Sequence, residues 1–238
     1  MTQEQPIQDT TSQSKKMLAI NKTKLVVGEG KEEVSFFPKL LKNYASLFGE
    51  RDLSQDFEFI DCGGKSKLET FLVRDLPIIP GWTKVTSLGI IIDADTPPKG
   101  FAPSFDKAQN AIKLMNNALT QMNYPIFPVP KKAARTELLD GRKTAIWIMP
   151  DNQSQGELED LCLKALEQHA LRPCICQMAN CARSTNTVVP TSAKASLYTL
   201  LAWIEPPGKR LGELDNSFVR TWDLRVFQPI LQSFFYQL

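Results

Sequence analysis

The sequence predicts an α/β domain built on a mostly parallel sheet flanked by helices, with a helical extension at its C-terminal end. Two observations carry that reading. Short β-branched runs alternate with stretches of helical periodicity through the first two thirds of the chain, as a parallel sheet with crossover helices requires. The central run, "LGIII" within "VTSLGIIIDAD", is almost wholly apolar, as expected of a strand covered on both faces.

Residues 1–20, rich in Gln, Thr, Ser and Lys, read as a disordered arm, and residues 21–238 as a single domain whose helical extension begins near 190. "TKLVVGEG" is a strand stopped by glycine. "KEEVSFFPKLLKNYASLF" has apolar residues near helical spacing, with Pro38 marking a first turn or a kink. "FEFIDCGG" is a second strand and turn, "KSKLETFLVRDL" a second helix, and "VTSLGIIIDAD" the third strand. "SFDKAQNAIKLMNNALTQM" follows as a helix capped by Ser104. "KTAIWIMP" is a further strand and "GELEDLCLKALEQHA" a helix behind it. "SAKASLYTLLAWI" and "DLRVFQPILQSFFYQL" are both helical, joined by a loop rich in Pro and Gly.

Composition narrows the function classes. The 238 residues carry 28 Lys and Arg against 26 Asp and Glu, a net charge of +2, which argues against a highly basic binder but permits a local basic patch. No stretch reaches the length of a membrane span, and the polar start lacks an apolar signal core, so a cytoplasmic protein without a membrane partner is expected. Cys174, Cys176 and Cys181 cluster near His169, but their spacing is not that of paired zinc knuckles, and reduced thiols are the expectation. "CGGKS" resembles the end of a phosphate loop, yet Phe59 stands where that motif needs glycine. "GEGKEE" lacks dinucleotide-fingerprint spacing, and the single histidine sits at a surface-like helix end, which leaves no attractive catalytic triad.

Ligands of an open parallel sheet bind beyond the carboxyl ends of its strands. Acids collect at that edge: Glu29 after the first strand, Asp93 and Asp95 after the third, Asp151 after "AIWIMP", and Glu157, Glu159 and Asp160 at the next helix start. Strand alternation lets Asp93 and Asp95 aim together if the chain stays extended. Carboxylates so close disfavour one another's ionisation, and a hard divalent cation removes the conflict. Each has a plainer reading. Glu29 can brace a turn, the DxD can cap a loop, the helix-start acids suit a helix N-terminus, and "PDNQSQG" is a good turn.

The order of "VVGEGKEEVSFF", "IIIDADTPP", "IWIMPDNQSQGELEDL" and "AKASLYTLLAW" resembles a family of small bacterial Toprim-related proteins, over roughly residues 23–238. Through it the chain is similar to the Toprim domain of topoisomerases, DnaG-type primases and the overcoming-lysogenization-defect nucleases. The resemblance implies a Toprim-like, Rossmann-like sheet. It places the Toprim glutamate on Glu29 and the aspartates on Asp93 and Asp95. The further acids of the nuclease branch fall on Glu33 and Glu159, and its C-terminal lysine on Lys194. Gly28 stands where the family has an apolar residue, and Glu33 replaces an aspartate. The implied activity is Mg2+- or Mn2+-dependent phosphodiester hydrolysis of DNA or RNA. Catalysis would fall to Glu29, Asp93, Asp95, Glu159 and Lys194, with the metal held by Glu29, Glu33, Asp93, Asp95 and Glu159. Lys31, Lys65 and Lys67 are candidates for flanking phosphates, each also readable as a solvated surface lysine. The rival reading is a non-catalytic module that binds a metal-chelated nucleotide or a protein partner at the same edge.

Overall fold

The computed structural model describes residues 18–94, 100–184, 192–203 and 210–238. The expected arm lies almost entirely outside these residues, and so does Asp95. Five strands form one sheet in the order β2-β1-β3-β5-β4. They are β1 (Lys24–Gly28), β2 (Phe57–Asp61), β3 (Ser87–Asp93), β4 (Glu137–Leu139) and β5 (Arg142–Met149). β1, β2, β3 and β5 run parallel, whereas β4 pairs antiparallel with β5. The mostly parallel α/β sheet expected from the sequence is therefore present. The three-residue β4, too short for a periodicity signal, adds an antiparallel edge to it.

Alternation along the buried strands splits the core in two. Val26, Ile91 and Trp147 face one side, which holds α1 (Lys31–Phe48) and the C-terminal third. Leu25, Val27, Ile90, Ile92, Ile146 and Ile148 face the other. There the helical stretch around α2 (Leu68–Thr70) packs with α3 (Phe101–Gln121). Pro38 lies inside α1 without ending it. Ser104 is not the cap of α3. The helix starts three residues earlier, after Gly100, and the buried Ser104 hydroxyl instead donates to the Ala94 carbonyl at 3.4 Å. The helix read from "KSKLETFLVRDL" is an irregular run, tight at Lys65–Lys67 and wide at Phe71–Asp75.

After β5 come α4 (Leu158–Ala165), α5 (Arg172–Ser184) and α6 (Ala193–Leu201), then the short α7 (Asn216–Val219) and α8 (Gln228–Ile230). The cysteine cluster falls on α5, where Cys174, Cys176 and Cys181 are exposed and free. No described helix is long and apolar enough to cross a membrane.

The C-terminal extension is a layer of the core. Phe227, Leu231, Phe234 and Phe235 are buried against the sheet and α1. Gly89 makes room for them. A Cβ there would lie 2.6 Å from Phe234 Cζ and 2.8 Å from Leu238 Cδ1. Gly89→Val should therefore destabilise the fold by about 2 kcal/mol, the range of overpacked cores, read as a lower urea midpoint. An unchanged midpoint would mean that the C-terminal segment is not seated on β3.

Candidate functional site

Parallel strands deliver their C-terminal ends to one edge, and the acids arrive there from four elements. Glu29 follows β1, Glu33 lies in the first turn of α1, Asp93 ends β3 and Glu159 lies in the first turn of α4. All four line one pocket of ≈ 270 Å³, together with Lys31, Glu32 and Lys194. Glu33 and Glu159 are buried, at 6% and 3% exposure.

Each carboxylate is fixed through one oxygen. Glu29 Oε2 accepts the Asp93 backbone N–H at 3.1 Å, tying β1 to β3. Asp93 Oδ1 accepts the Leu158 N–H at 3.1 Å, which secures the start of α4. Glu33 Oε2 accepts the Gly30 N–H at 2.8 Å, closing the first turn of α1. Glu159 Oε1 pairs with Lys194 Nζ at 3.1 Å, bringing α6 onto α4. Gly28 earns its place here by close approach, since a Cβ would lie 2.9 Å from Val34 Cγ1 and 3.1 Å from Glu33 Cβ. An apolar side chain at 28 would push the first turn of α1 away from the edge.

Electrostatics follow from burial and crowding. Asp93 is held well above the usual carboxylate range, by burial first and then by the charges of Glu33, Glu29 and Glu159. Glu33 is also raised, chiefly by burial, against the pull of its backbone hydrogen bonds. Burial tends to lower Lys194, but Glu159 beside it outweighs that effect, so its ammonium is raised and stays charged. Glu157 is raised by burial and by Glu159.

Other acids at this edge have local tasks. Asp151 turns back onto its own loop, accepting from the Gln153 and Ser154 N–H groups and the Ser154 hydroxyl, so it is a turn residue. Asp160 caps its helix start by accepting the Glu157 N–H at 2.8 Å. Glu32 clasps the C-terminal layer, taking the Tyr198 hydroxyl at 2.9 Å and the Leu211 N–H at 3.0 Å. Its neighbour Glu33 alone stood out by motif position, and nothing in the sequence marked the long-range contacts of Glu32.

A second pocket of ≈ 500 Å³ shares Glu29 and Gly64 with the first. Lys65 and Ser66 line it, and so do Ser104 and, marked by no motif, Lys107 from α3. Lys67 is exposed.

Among the described residues no three His, Cys, Asp or Glu side chains close on a point as metal ligands. The donors that line the acidic pocket are nonetheless hard oxygens. Mg2+ commonly takes only one or two carboxylates and fills the rest of its shell with water. Glu29 and Asp93, coupled by a hydrogen bond, are suited to that role.

A carboxyl whose folded pKa lies above its unfolded value favours folding in its protonated form. The contribution of Asp93 is complete below its ordinary value of 3.8 and is lost as pH rises through the raised one. The Asp93 contribution to the stability of cation-free protein should thus fall from acid toward neutral pH. Asp93→Asn keeps the acceptor for Leu158, so at neutral pH in EDTA it should melt higher than wild type and show a flatter pH profile. A lower melting temperature would contradict the repulsion described here.

The family model described as a protein of unknown function (DUF3226) matches residues 22–236. No curated protein and no solved structure matches the chain.

Proposed function

We propose that this chain, which belongs to the DUF3226 family, is a divalent-cation-dependent phosphodiester hydrolase acting on nucleic acid. The observation that carries the reading is the meeting of Glu29, Glu33, Asp93 and Glu159 on one small pocket at the carboxyl edge of the sheet. Buried like charges are costly, and a fold that assembles them has a use for the negative potential. The Toprim resemblance supports the same reading, because its acids fall on these positions.

Glu29 and Asp93 would hold Mg2+ or Mn2+, with Glu33 and Glu159 beside them on the pocket wall. When bound, such a cation lowers the pKa of water and offsets charge on phosphoryl oxygens. The chain supplies the rest. Backbone N–H groups orient Glu29, Glu33 and Asp93 through one oxygen each. Glu33, on the same pocket wall, would serve as the general base that takes a proton from an attacking water. Lys194 brings a charged ammonium to the pocket wall, where it can offset charge growing on a phosphate.

The Lys194–Glu159 pair supports a second reading. It neutralises one acid of the cluster from within, as would suit a non-catalytic module that binds a metal-chelated nucleotide or a protein partner.

Calorimetric Mn2+ titration and a cleavage screen on single-stranded DNA, double-stranded DNA and RNA separate the two. Wild type should bind Mn2+ and cleave at least one substrate. Glu29→Gln and Asp93→Asn should each weaken Mn2+ binding roughly 10-fold or more, an effect reached even by groups that only orient metal ligands, and should abolish cleavage. Mn2+ binding without cleavage of any substrate would favour the binding module. No Mn2+ binding at millimolar concentration would end the metal reading.

A further inference from the structure

Two adjoining pockets at the carboxyl edge have opposite character. Among the described residues the smaller is lined by five carboxylates and two lysines. Among the described residues the larger has Glu29 as its one carboxylate, at the shared wall, and sets Lys65 and Lys107 with Ser66 and Ser104 around ≈ 500 Å³. That volume lies in the ordinary range of ligand pockets.

The lysines reach it from different parts of the fold. Lys65 follows Gly63 and Gly64, whose positive φ values of 77° and 111° turn the chain sharply after β2. The turn is clamped to the acidic site, with Gly64 N–H donating to the Glu29 carbonyl at 2.8 Å and Cys62 N–H to the Gly28 carbonyl at 3.0 Å. Lys107 projects from the second turn of α3, one turn beyond Ser104, whose hydroxyl is tied to the chain leaving β3 at Ala94. The backbone that carries each lysine is thus held by hydrogen bonds or by helix packing close to the acidic edge.

We infer that the Lys65–Lys107 pocket is a phosphoryl-binding subsite, seating a phosphate next to the one presented to the carboxylates. The inference rests on the proposed function for its second phosphate. The acidic pocket alone repels an anion, whereas the adjoining pocket attracts one, so a ligand spanning both carries phosphate on the basic side and meets the cation on the acidic side. A polynucleotide strand offers successive phosphates in this way, and a nucleotide's own phosphate chain has the same chemistry over a shorter span. Lys65 and Lys107 act as binding residues, not as groups that touch the reacting bond.

The test is anisotropy of a short fluorescein-labelled single strand of DNA with the full chain in Ca2+, over a series of salt concentrations. Lys65→Gln and Lys107→Gln should each lower the magnitude of the slope of log K against log salt by about 0.7, and the double variant by about twice that. Lys84→Gln, before the amino end of β3 and so at the opposite edge of the sheet, should leave it unchanged. A fluorescent ADP provides a second arm. Affinity for ADP lost in the double variant, with DNA binding unaltered, would assign the subsite to a nucleotide's phosphate chain. Wild-type affinity for both ligands in a folded double variant would overturn the inference, as would an equal loss in Lys84→Gln. Mn2+ titration of the double variant should match wild type. If wild type binds no Mn2+, the metal reading fails while the salt slopes still decide the subsite.

Discussion

Five carboxylates among the described residues line one small pocket and repel each other, and the carboxyl edge of this sheet is organised around resisting that repulsion. Glu29, Asp93 and Glu32 accept a backbone N–H from another part of the fold, Glu33 accepts one from the N-cap of its own helix, and Glu159 takes the ammonium of Lys194. These bonds also serve the fold. The Glu29 contact links the ends of β1 and β3, the Asp93 contact fixes the entry to α4, and the Lys194 contact docks α6. A charge-assisted hydrogen bond is stronger than a neutral one, so the acids that destabilise each other also staple the elements that carry them. Asp93 and Glu33 are nonetheless raised, by burial first and then by the neighbouring carboxylates.

Packing on the α1 face of the sheet keeps this edge in place. The C-terminal layer fills the groove that Gly89 leaves open. Glu32, next to Glu33, holds that layer through Tyr198 and Leu211. α1 therefore brings both acids to the pocket wall, and Glu32 also reaches the C-terminal third. A change in how the last helices pack would be felt at the site through this single turn of helix.

Much of this was legible in the sequence, because periodicity and strand ends are local. The apolar run of "LGIII" identified β3 as buried on both faces, and the rule that parallel strands finish at one edge was enough to collect Glu29, Asp93 and Glu159. What stayed hidden depended on distant partners. Asp151 occupies a strand end like the others, but the Ser154 hydroxyl and two backbone N–H groups of its own turn hold it away from the cluster. Ser104 looked like a cap because it precedes an amphipathic stretch, yet Gly100 starts the helix. Lys107 lies mid-helix in an ordinary exposed-face pattern, and only the fold brings it beside Lys65. Gly28 showed in the sequence only as a departure from the family's apolar residue, whereas its reason is the close approach of Val34.

The central claim is that the carboxylate pocket holds a divalent cation. Crystals soaked in Mn2+ and measured at the manganese absorption edge test it most directly. The account predicts an anomalous peak within direct coordination distance, about 2.0–2.3 Å, of oxygens of Glu29 and Asp93, with waters completing the shell. A data set with no peak in this pocket, or with manganese bound only elsewhere on the surface, would contradict it.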